Sequence, residues 1–322
     1  MRSRSLRALL FLVPLGLVLG LAGGATYASF SAATFNGNSI TADPDWTAPL
    51  ASGSVIAGVG NPTPGYIHQG GDYYVYAAVT DSGNPPSGVA SVTADVSRIT
   101  TGQTAAPLTA GSWTVGGVAY DYRSALLTAD ASLVPGAKPY SLTMSDVRLN
   151  STTQGGFVVT VDNSAPAGSD IQTANNAFVV GYAETGDRII YTFTETMDSQ
   201  TIMAGWDGTA TTVTVRLLDN FGGRDSIQVY DGANTTLLNL GAVNLGGNQY
   251  VKKGTAVFSD STMVQSGSSI VITLGVPSGG ELQTVGTATT MVWTPSALAT
   301  DPAGNPCSTA DVTESGGADV EF

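Results

Sequence analysis

A short phrase that occurs twice is the feature that most constrains how this chain can fold. Asp45 to Pro49 is Asp-Trp-Thr-Ala-Pro, and Asp162 to Pro166 is Asp-Asn-Ser-Ala-Pro. An X-Pro step favours extended backbone before the proline, and Asp, Asn, Ser and Thr favour turns. The phrase therefore predicts a hinge that leads into a new domain. The spacing of the two copies is close to the ~100 residues of an immunoglobulin-like sandwich.

Alternating apolar residues predict strands after each hinge. In the first domain, residues 72–80 place Tyr73, Val75, Ala77 and Val79 on one face, as expected of a strand with one buried side. In the second domain, Ile189, Tyr191 and Phe193 alternate in the same way within 187–195. A single helical turn is predicted within 197–203. Further strands are predicted at 89–99, 112–118, 120–127, 140–149, 157–162, 212–218, 226–230, 255–258, 268–274, 289–293 and 319–322.

The first 28 residues predict a secretory signal. Arg2, Arg4 and Arg7 precede an apolar stretch from Leu9 to Leu21, and small residues follow up to Ala28, in the order that a signal peptidase requires. An uncleaved membrane anchor is the alternative, but the apolar stretch is shorter than the ~20 residues of a spanning helix. We expect the protein to be secreted, extracellular or associated with the cell surface.

Charge and cysteine content exclude several classes of protein. The formal net charge is −13, and removal of the signal makes it more negative, which argues against nucleic acid or an anionic surface as a partner. Cys307 is the only cysteine, so no intrachain disulfide forms. It could pair between molecules or stay a free thiol, and we favour a small residue in a loop. Two domains without disulfides favour a bacterial exported protein over an animal ectodomain.

Two resemblances extend this interpretation. Residues 25–32 and Asn36-Gly-Asn-Ser39 resemble the N-termini of Gram-positive exported proteins cut by the endoplasmic-reticulum-type signal peptidase, including biofilm-fibre and camelysin-type proteins. The stretches 81–92, 157–166, 186–198 and 301–305 resemble bacterial immunoglobulin-like modules of cell-surface proteins. The second resemblance implies an all-β chain with two immunoglobulin-like β-sandwiches in tandem after an N-terminal signal helix. The predicted domains are a signal peptide (1–28), a flexible tail (29–48), sandwich 1 (49–166) and a larger sandwich 2 (167–322).

Catalytic residues are not predicted. His68 is the only histidine and no Gly-x-Ser-x-Gly elbow occurs, so nucleophilic hydrolysis lacks its usual components. A zinc site built on His68 and Cys307 would need carboxylates to complete it. Paired carboxylates could serve a glycosidase, and the acids Glu184, Asp187, Glu195 and Asp198 are clustered in sequence. We favour a solvated strand rim for these four acids, and we predict no enzymatic activity and no cofactor.

Calcium is the one ion that the sequence makes worth considering. Hard cations take oxygen ligands, and several such residues lie in hinge or turn phrases: Asp43, Asp45, Asp81, Asp162, Asn163, Asp301 and Asn305. They could meet at domain ends, or they could simply cap turns. The tryptophans, Trp46, Trp113, Trp206 and Trp293, are expected in the core, with a sugar-stacking surface as the alternative.

These observations predict a non-enzymatic secreted or cell-surface protein of a Gram-positive bacterium with a structural or adhesive role. Its rigid modules would present loops and edge strands to other surface proteins, matrix components or glycans, and strand addition to an exposed edge is one route to assembly. The alternatives are a carbohydrate-binding module and a glycoside hydrolase accessory protein.

Overall fold

The structure is a computed structural model, and it describes residues 45–60, 63–176, 178–220, 223–247 and 249–322. The predicted signal peptide, the tail up to residue 44 and the calcium candidate Asp43 lie outside these residues. The described chain consists of strands, turns and one helical turn. The all-β prediction is therefore confirmed, with two sheets of sandwich or barrel character that each enclose a separate core.

The first sheet and its core form what we term the first module. Its strands are β1 (Leu50–Gly58), β2 (Tyr66–Ile67), β3 (Asp72–Thr80), β4 (Val89–Asp95), β5 (Ala106–Val115), β6 (Val118–Ser124), β7 (Leu127–Thr128), β8 (Gly136–Asp146) and β9 (Ser151–Val161). The spatial order is β1-β3-β6-β5-β4-β8-β9-β2, with β7 paired to β3. All pairs are antiparallel except β2 with β9.

The second sheet and its core form the second module. Its elements are β10 (Gly168–Ala174), β11 (Arg188–Phe193), α1 (Ser199–Ile202), β12 (Thr211–Leu218), β13 (Ser226–Asp231), β14 (Ala242–Asn244), β15 (Thr255–Ser266), β16 (Ser269–Thr273), β17 (Val276–Ser278), β18 (Val292–Thr294) and β19 (Val312–Thr313). The order is β10-β11-β16-β15-β12-β13-β14-β18-β19, and β17 pairs with β15.

The predicted alternation places the core side chains correctly. Tyr73, Val75, Ala77 and Val79 of β3 are buried, and so are Ile189, Tyr191 and Phe193 of β11. The phenol of Tyr73 is paired with the Thr100 hydroxyl at 2.7 Å, so its burial leaves no polar atom unsatisfied. Each fully buried large apolar side chain contributes about 1.5–3 kcal/mol, which makes these two strands central to their modules.

Each module begins with a strand that the alternation did not predict. Strand β1 directly follows the first repeated phrase and pairs with β3, and β10 follows the second phrase and pairs with β11. Both strands carry a bulge near their start, at Ala51/Gly53 and at Gly168/Asp170. Gly and Ser at these positions weaken the pattern of alternating apolar residues. The repeated phrase thus precedes corresponding strands in the two modules.

Several predicted strands need correction, and the helical turn is confirmed. The predicted strand 112–118 spans the turn between β5 and β6, and 289–293 overlaps only the start of β18. Strand β4 ends at Asp95 rather than residue 99, because the Asp95 carboxylate accepts the Ser97 N–H at 3.0 Å and starts a turn. Residues 319–322 form no strand; Asp319 makes only an isolated bridge with Thr289. The single turn expected within 197–203 is α1, with Asp198 as its N-cap.

Candidate functional site

Three clusters of carboxylates are the most distinctive polar features of the described chain. The first hinge cluster comprises Asp45, Asp81 and Asp146, with one oxygen of each within 4.8 Å of the others. Asp45 accepts the N–H groups of Thr47 at 3.0 Å and Ser87 at 2.7 Å. Asp81, at the end of β3, accepts two further N–H groups, from Gly83 and Gly88. Backbone donors therefore satisfy much of the charge in this cluster.

The second hinge cluster lies at the junction of the two modules. It comprises Asp162, Glu195 and Asp301, again with one oxygen of each within 4.8 Å of the others. Asp162 accepts the Ser164 N–H at 3.0 Å, as Asp45 accepts that of Thr47 in the first copy of the phrase. Glu195 follows β11 as Asp81 follows β3. The two copies of the phrase therefore each contribute one aspartate to a three-carboxylate cluster.

An asparagine braces each hinge cluster in the same way. The Asn150 N–H and side-chain amide bind the two carboxylate oxygens of Asp146 at 2.8 and 2.6 Å, and the amide also donates to the Asp45 carbonyl at 3.1 Å. Asn305 binds Asp301 at 2.8 Å through both groups and donates to the Asp162 carbonyl at 2.9 Å. An Asp-x-x-x-Asn loop thus fastens the repeated phrase to each module.

The electrostatic environments of the two hinge clusters differ. Hydrogen bonds from Ser87 and Thr47 lower the pKa of Asp45 from its usual value. Burial raises the pKa of Asp301, and it also raises the pKa of Glu195, which the neighbouring Asp162 and Asp301 raise further. Hydrogen-bond donors therefore stabilise the ionised carboxylate of Asp45 in the first cluster, whereas burial and neighbouring carboxylates disfavour the ionised forms of Glu195 and Asp301 in the second.

The third cluster comprises Glu314, Asp319 and Glu321 of the second module, and we term it the 314–321 cluster. One carboxylate oxygen of each residue lies within 4.8 Å of the others. This cluster was not predicted from the sequence, because these acids belong to no hinge phrase. The sequence signal that could have revealed this cluster is the position of Glu314 just before the Gly316-Gly317 turn and of Asp319 and Glu321 just after it.

The remaining predicted acids have structural partners. Buried Asp187 accepts the N–H groups of Asn176 and Glu184, and Glu184 in turn accepts those of Phe178 and Val179. Asp198 caps α1 and accepts the Thr63 hydroxyl of the first module at 2.6 Å. These three acids organise loops and the module junction. Of the four acids considered for glycoside chemistry, only Glu195 belongs to a carboxylate cluster.

Asn163, the remaining calcium candidate among the described residues, lies outside all three clusters. Its side-chain oxygen accepts the Gln69 N–H at 2.8 Å, and its amide donates to the Leu133 carbonyl at 2.7 Å. The structure therefore brings together Asp45 with Asp81, and Asp162 with Asp301 and Asn305, while Asn163 fastens the end of the first module to its own loops.

His68 and Cys307 do not form a catalytic pair with each other in the described structure. The His68 Nδ1 atom lies 2.9 Å from the Gln69 carbonyl, and the ring packs against Gly71. Cys307 is buried, and this burial raises the pKa of its thiol to about 11. A thiol with such a pKa is a poor nucleophile at neutral pH.

Open cavities line the junction between the modules. One of about 390 Å³ is bounded by Tyr66 of the first module and by Asp162, Glu195, Thr196 and Pro302. A neighbouring one of about 450 Å³ includes Thr63 and Asp198. A smaller one of about 100 Å³ contains His68 and reaches Gly304. The second hinge cluster is therefore reachable from solvent.

The tryptophans divide between core and surface. Trp206 and Trp293 are buried, and the Trp293 indole N–H donates to the Leu240 carbonyl at 2.7 Å, so core packing is confirmed for these two. Trp46 is 61% exposed. Trp113 is half-buried and lies over Gly111, where an added Cβ would be 2.3 Å from the indole ring.

Trp113 belongs to an aromatic face on the first sheet. The Tyr76 ring lies 6.5 Å from that of Trp113, 6.1 Å from Tyr74 and 6.0 Å from Tyr120. The Arg123 guanidinium lies over the Tyr74 and Trp113 rings, 4.4 and 4.9 Å from their centroids. We term Tyr74, Tyr76, Trp113, Tyr120 and Arg123 the aromatic face.

No family model, curated protein or solved structure matches this chain. Within the described part of the chain, no helix has the length and apolar character needed to cross a membrane.

Proposed function

We propose that this is a non-enzymatic secreted or cell-surface protein of a Gram-positive bacterium, with a structural or adhesive role carried by two immunoglobulin-like modules. The observation that carries the proposal is the fastened junction between them. Strand β9 ends at Val161 and β10 begins at Gly168. The short link between these two strands is hydrogen-bonded to the second module near both of its ends. A spacer or matrix protein needs such a defined orientation between its modules.

The contacts at the junction come from several places in the second module. Asn305 donates to the Asp162 carbonyl at 2.9 Å, and the Ser308 N–H donates to the Pro166 carbonyl at 2.8 Å. Thr63 of the first module donates to Asp198 at 2.6 Å. Two of these bonds hold the link and the third joins a loop of the first module to the second, so together they restrain rotation between the modules.

Loops rather than sheet edges are the surfaces that these modules offer to partners. In the first sheet, the end strand β1 contacts the two strands at the opposite end of the sheet, β9 and β2. In the second sheet, the two end strands β10 and β19 contact each other. Sheets that close on themselves leave little free edge for strand addition. Other surface proteins, matrix components or glycans would therefore bind to loops and sheet faces.

Deletion of the gene in its source bacterium tests the structural role. We expect intact cells to be labelled by an antibody to the protein, and we expect the deletion strain to lose adhesion or matrix formation. Complementation with a variant whose junction is lengthened by a Gly/Ser linker should restore export and labelling but not full adhesion. Normal adhesion and matrix formation in the deletion strain would overturn the proposal.

Of the two hinge clusters, the second is the one at which calcium is part of the proposal. The first cluster is largely satisfied by N–H donors, whereas Glu195 and Asp301 are carboxyl groups whose pKa is raised beside a third carboxylate. Oxygen ligands of this kind suit Ca²⁺. We expect EDTA to lower the melting temperature of wild type and of the Asp45→Asn variant by similar amounts, and to lower that of Asp162→Asn by less. An EDTA response as large in Asp162→Asn as in wild type would exclude the second hinge cluster as a source of it.

A carbohydrate-binding module is the second candidate, favoured by the aromatic face. Stacking on aromatic rings is a common way to bind sugars, although the Trp113 ring also serves to cover Gly111. A glycan array with wild type and the Trp113→Ala and Trp46→Ala variants separates the two roles. Binding that is lost in Trp113→Ala and kept in Trp46→Ala would favour the carbohydrate module over a purely structural face.

The junction cavity provides the test of the non-enzymatic assignment. Glu195, with a raised pKa, lies beside Asp162, and glycoside hydrolysis uses two carboxyl groups in different environments. We expect purified protein to release no reducing ends from cell-wall polysaccharides. Release that disappears in the Glu195→Gln variant would show that the assignment is wrong.

A further inference from the structure

The 314–321 cluster contains buried carboxylate oxygens that no donor satisfies. The Glu321 side chain is 1% exposed and that of Glu314 is 6% exposed. In each residue the Oε1 atom accepts no hydrogen bond from any residue that the structure describes. A buried charged group without a partner costs several kcal/mol. The adjacent carboxylates of Glu314 and Glu321 would therefore be stabilised by a positive charge or a proton between them.

The charges that act on this pair are all negative. The Glu314 and Glu321 carboxyl groups are in contact with each other, and Asp319 and Asp170 are the further charged groups whose fields reach Glu314. Among the described residues, the single salt bridge joins Lys252 to Glu281, both exposed. No described lysine or arginine is thus positioned to neutralise the cluster.

Neutral donors hold the cluster in place. The Thr173 hydroxyl donates to Glu321 Oε2 at 2.6 Å, and the Glu321 N–H donates to the Tyr250 hydroxyl at 3.0 Å. Asp319 pairs with Thr289 through two backbone bonds of 2.7 and 3.0 Å, and the Glu314 N–H donates to the Met291 carbonyl. The backbone on both sides of the Gly316-Gly317 turn is therefore fixed, while the Oε1 atoms are left for a ligand.

We propose that Glu314, Asp319 and Glu321 bind one divalent cation of the calcium type. The ligand atoms are carboxylate oxygens, which hard cations prefer. Their mutual distances of up to 4.8 Å suit Ca²⁺, because oxygens on opposite sides of an ion with bonds of about 2.3–2.6 Å are about 5 Å apart. Mg²⁺ needs a smaller and stricter octahedral shell. Asp319 is exposed, so water can complete the coordination from that side.

The alternative occupant is a proton shared by the two glutamates, as in other close carboxyl pairs. Burial and the neighbouring carboxylates raise the pKa of Glu321, which favours a proton at this site over an ionised pair. A cation bound by the ionised carboxylates would compete with such a shared proton.

Calorimetric titration of Ca²⁺ into the metal-free protein at pH 7.5 tests the site. We expect the Glu321→Gln variant to bind one ion fewer than wild type, and Asp319→Asn to bind that ion at least tenfold more weakly. The control variant Glu281→Gln changes an exposed acid and should bind as wild type does.

Equal stoichiometry and affinity in wild type, Glu321→Gln and Asp319→Asn would overturn the proposal and leave the shared proton as the occupant. Asp319 is exposed, so Asp319→Asn keeps the test valid if a glutamate variant fails to fold. The hinge variant Asp162→Asn should retain the ion at the 314–321 cluster. Because binding is measured on purified protein, this result is independent of the adhesion assays that test the proposed function.

Discussion

The two hinge clusters begin from the same sequence phrase and reach different electrostatic states. In the first, Asp45 is buried and both of its oxygens accept backbone N–H groups. In the second, Asp162 is half-buried and accepts one N–H in its own phrase, and it faces an open cavity at the junction. A repeated phrase thus fixes where a module begins, but the loops around it decide whether its charge is stabilised by backbone donors.

The loop after the second acidic residue explains much of this difference. In the first module Asp81 is followed by a loop that brings Gly83 against the Asp45 carboxylate, where an added Cβ would be 2.2 Å from Oδ1. Two residues after Glu195 the chain carries Met197 instead, and its side chain is buried in the second core. A side chain at this position prevents the close approach that lets Asp45 be enclosed.

The largest expected loss of stability follows from disrupting the close packing of Gly83 against the Asp45 carboxylate. The Gly83→Ala variant should displace the Asp45 carboxylate from Thr47 and Ser87, and it should lower the melting temperature by roughly 5–10 °C. Differential scanning calorimetry measures this shift. The control Gly53→Ala adds a methyl group where no atom lies within 4 Å, so the two variants should differ clearly. Equal melting temperatures would show that the close approach at Gly83 is unimportant.

Removal of the two bracing asparagines should produce the next largest effect. Asn150→Ala and Asn305→Ala each keep the backbone N–H bond but remove the side-chain amide that donates to a buried aspartate, which costs about 1–3 kcal/mol in the free energy of unfolding. Denaturant unfolding of the two variants gives these costs. Only Asn305→Ala also releases the inter-module link, so it alone should broaden the distribution of shapes in small-angle X-ray scattering. Similar broadening in Asn150→Ala would contradict the difference between the hinges.

The opposite pKa shifts predict opposite responses to pH. Asp45 has a lowered pKa, so its contribution to stability is present above its usual pKa of 3.8 and is lost as the pH falls below about 4. Glu195 and Asp301 have raised pKa values, so their contributions are present in acid and are lost as the pH rises above about 4.

Variants that remove one group at a time check these signs. Asp45→Asn should flatten the fall in stability below pH 4, as measured by urea unfolding in calcium-free buffer. Glu195→Gln should flatten the fall that occurs as the pH rises above about 4. If both substitutions changed the same side of the pH profile, the proposed contrast between the clusters would be wrong.

The smallest effect is expected at the contact between the modules. Thr63→Val removes the hydroxyl that donates to Asp198, and a hydrogen bond of this kind contributes about 0.5–1.5 kcal/mol, or more where the acceptor is charged. Calorimetry should show a small loss of stability, and scattering should show a slightly more variable junction. The Thr101→Val variant, which removes a hydroxyl bonded to Asp130 within the first module, is the matched control and should leave the junction unchanged.

The sequence was sufficient for features that depend on local pattern. Alternation identified β3 and β11 with their buried faces, and the single helical turn expected within 197–203 is α1. It did not identify β1 or β10, because glycine and serine replace the apolar residues that the pattern needs and both strands are recruited by pairing with β3 and β11. Pairing with a neighbouring strand is a tertiary property.

For the candidate sites, the sequence supplied some of the residues but not their grouping. It singled out Asp45, Asp81, Asp162 and Asp301 as oxygen ligands in turn phrases, because Asp favours turns whatever its partners are. Asp146 and the 314–321 cluster were missed, since strand ends distant in the chain must meet before their carboxylates do. By itself the sequence determined the all-β class through local periodicity, and it contained the two phrases after which the first strand of each sheet begins. Only the tertiary structure decided which carboxylates share a site and which are satisfied, because burial and donor geometry depend on contacts between residues far apart in the chain.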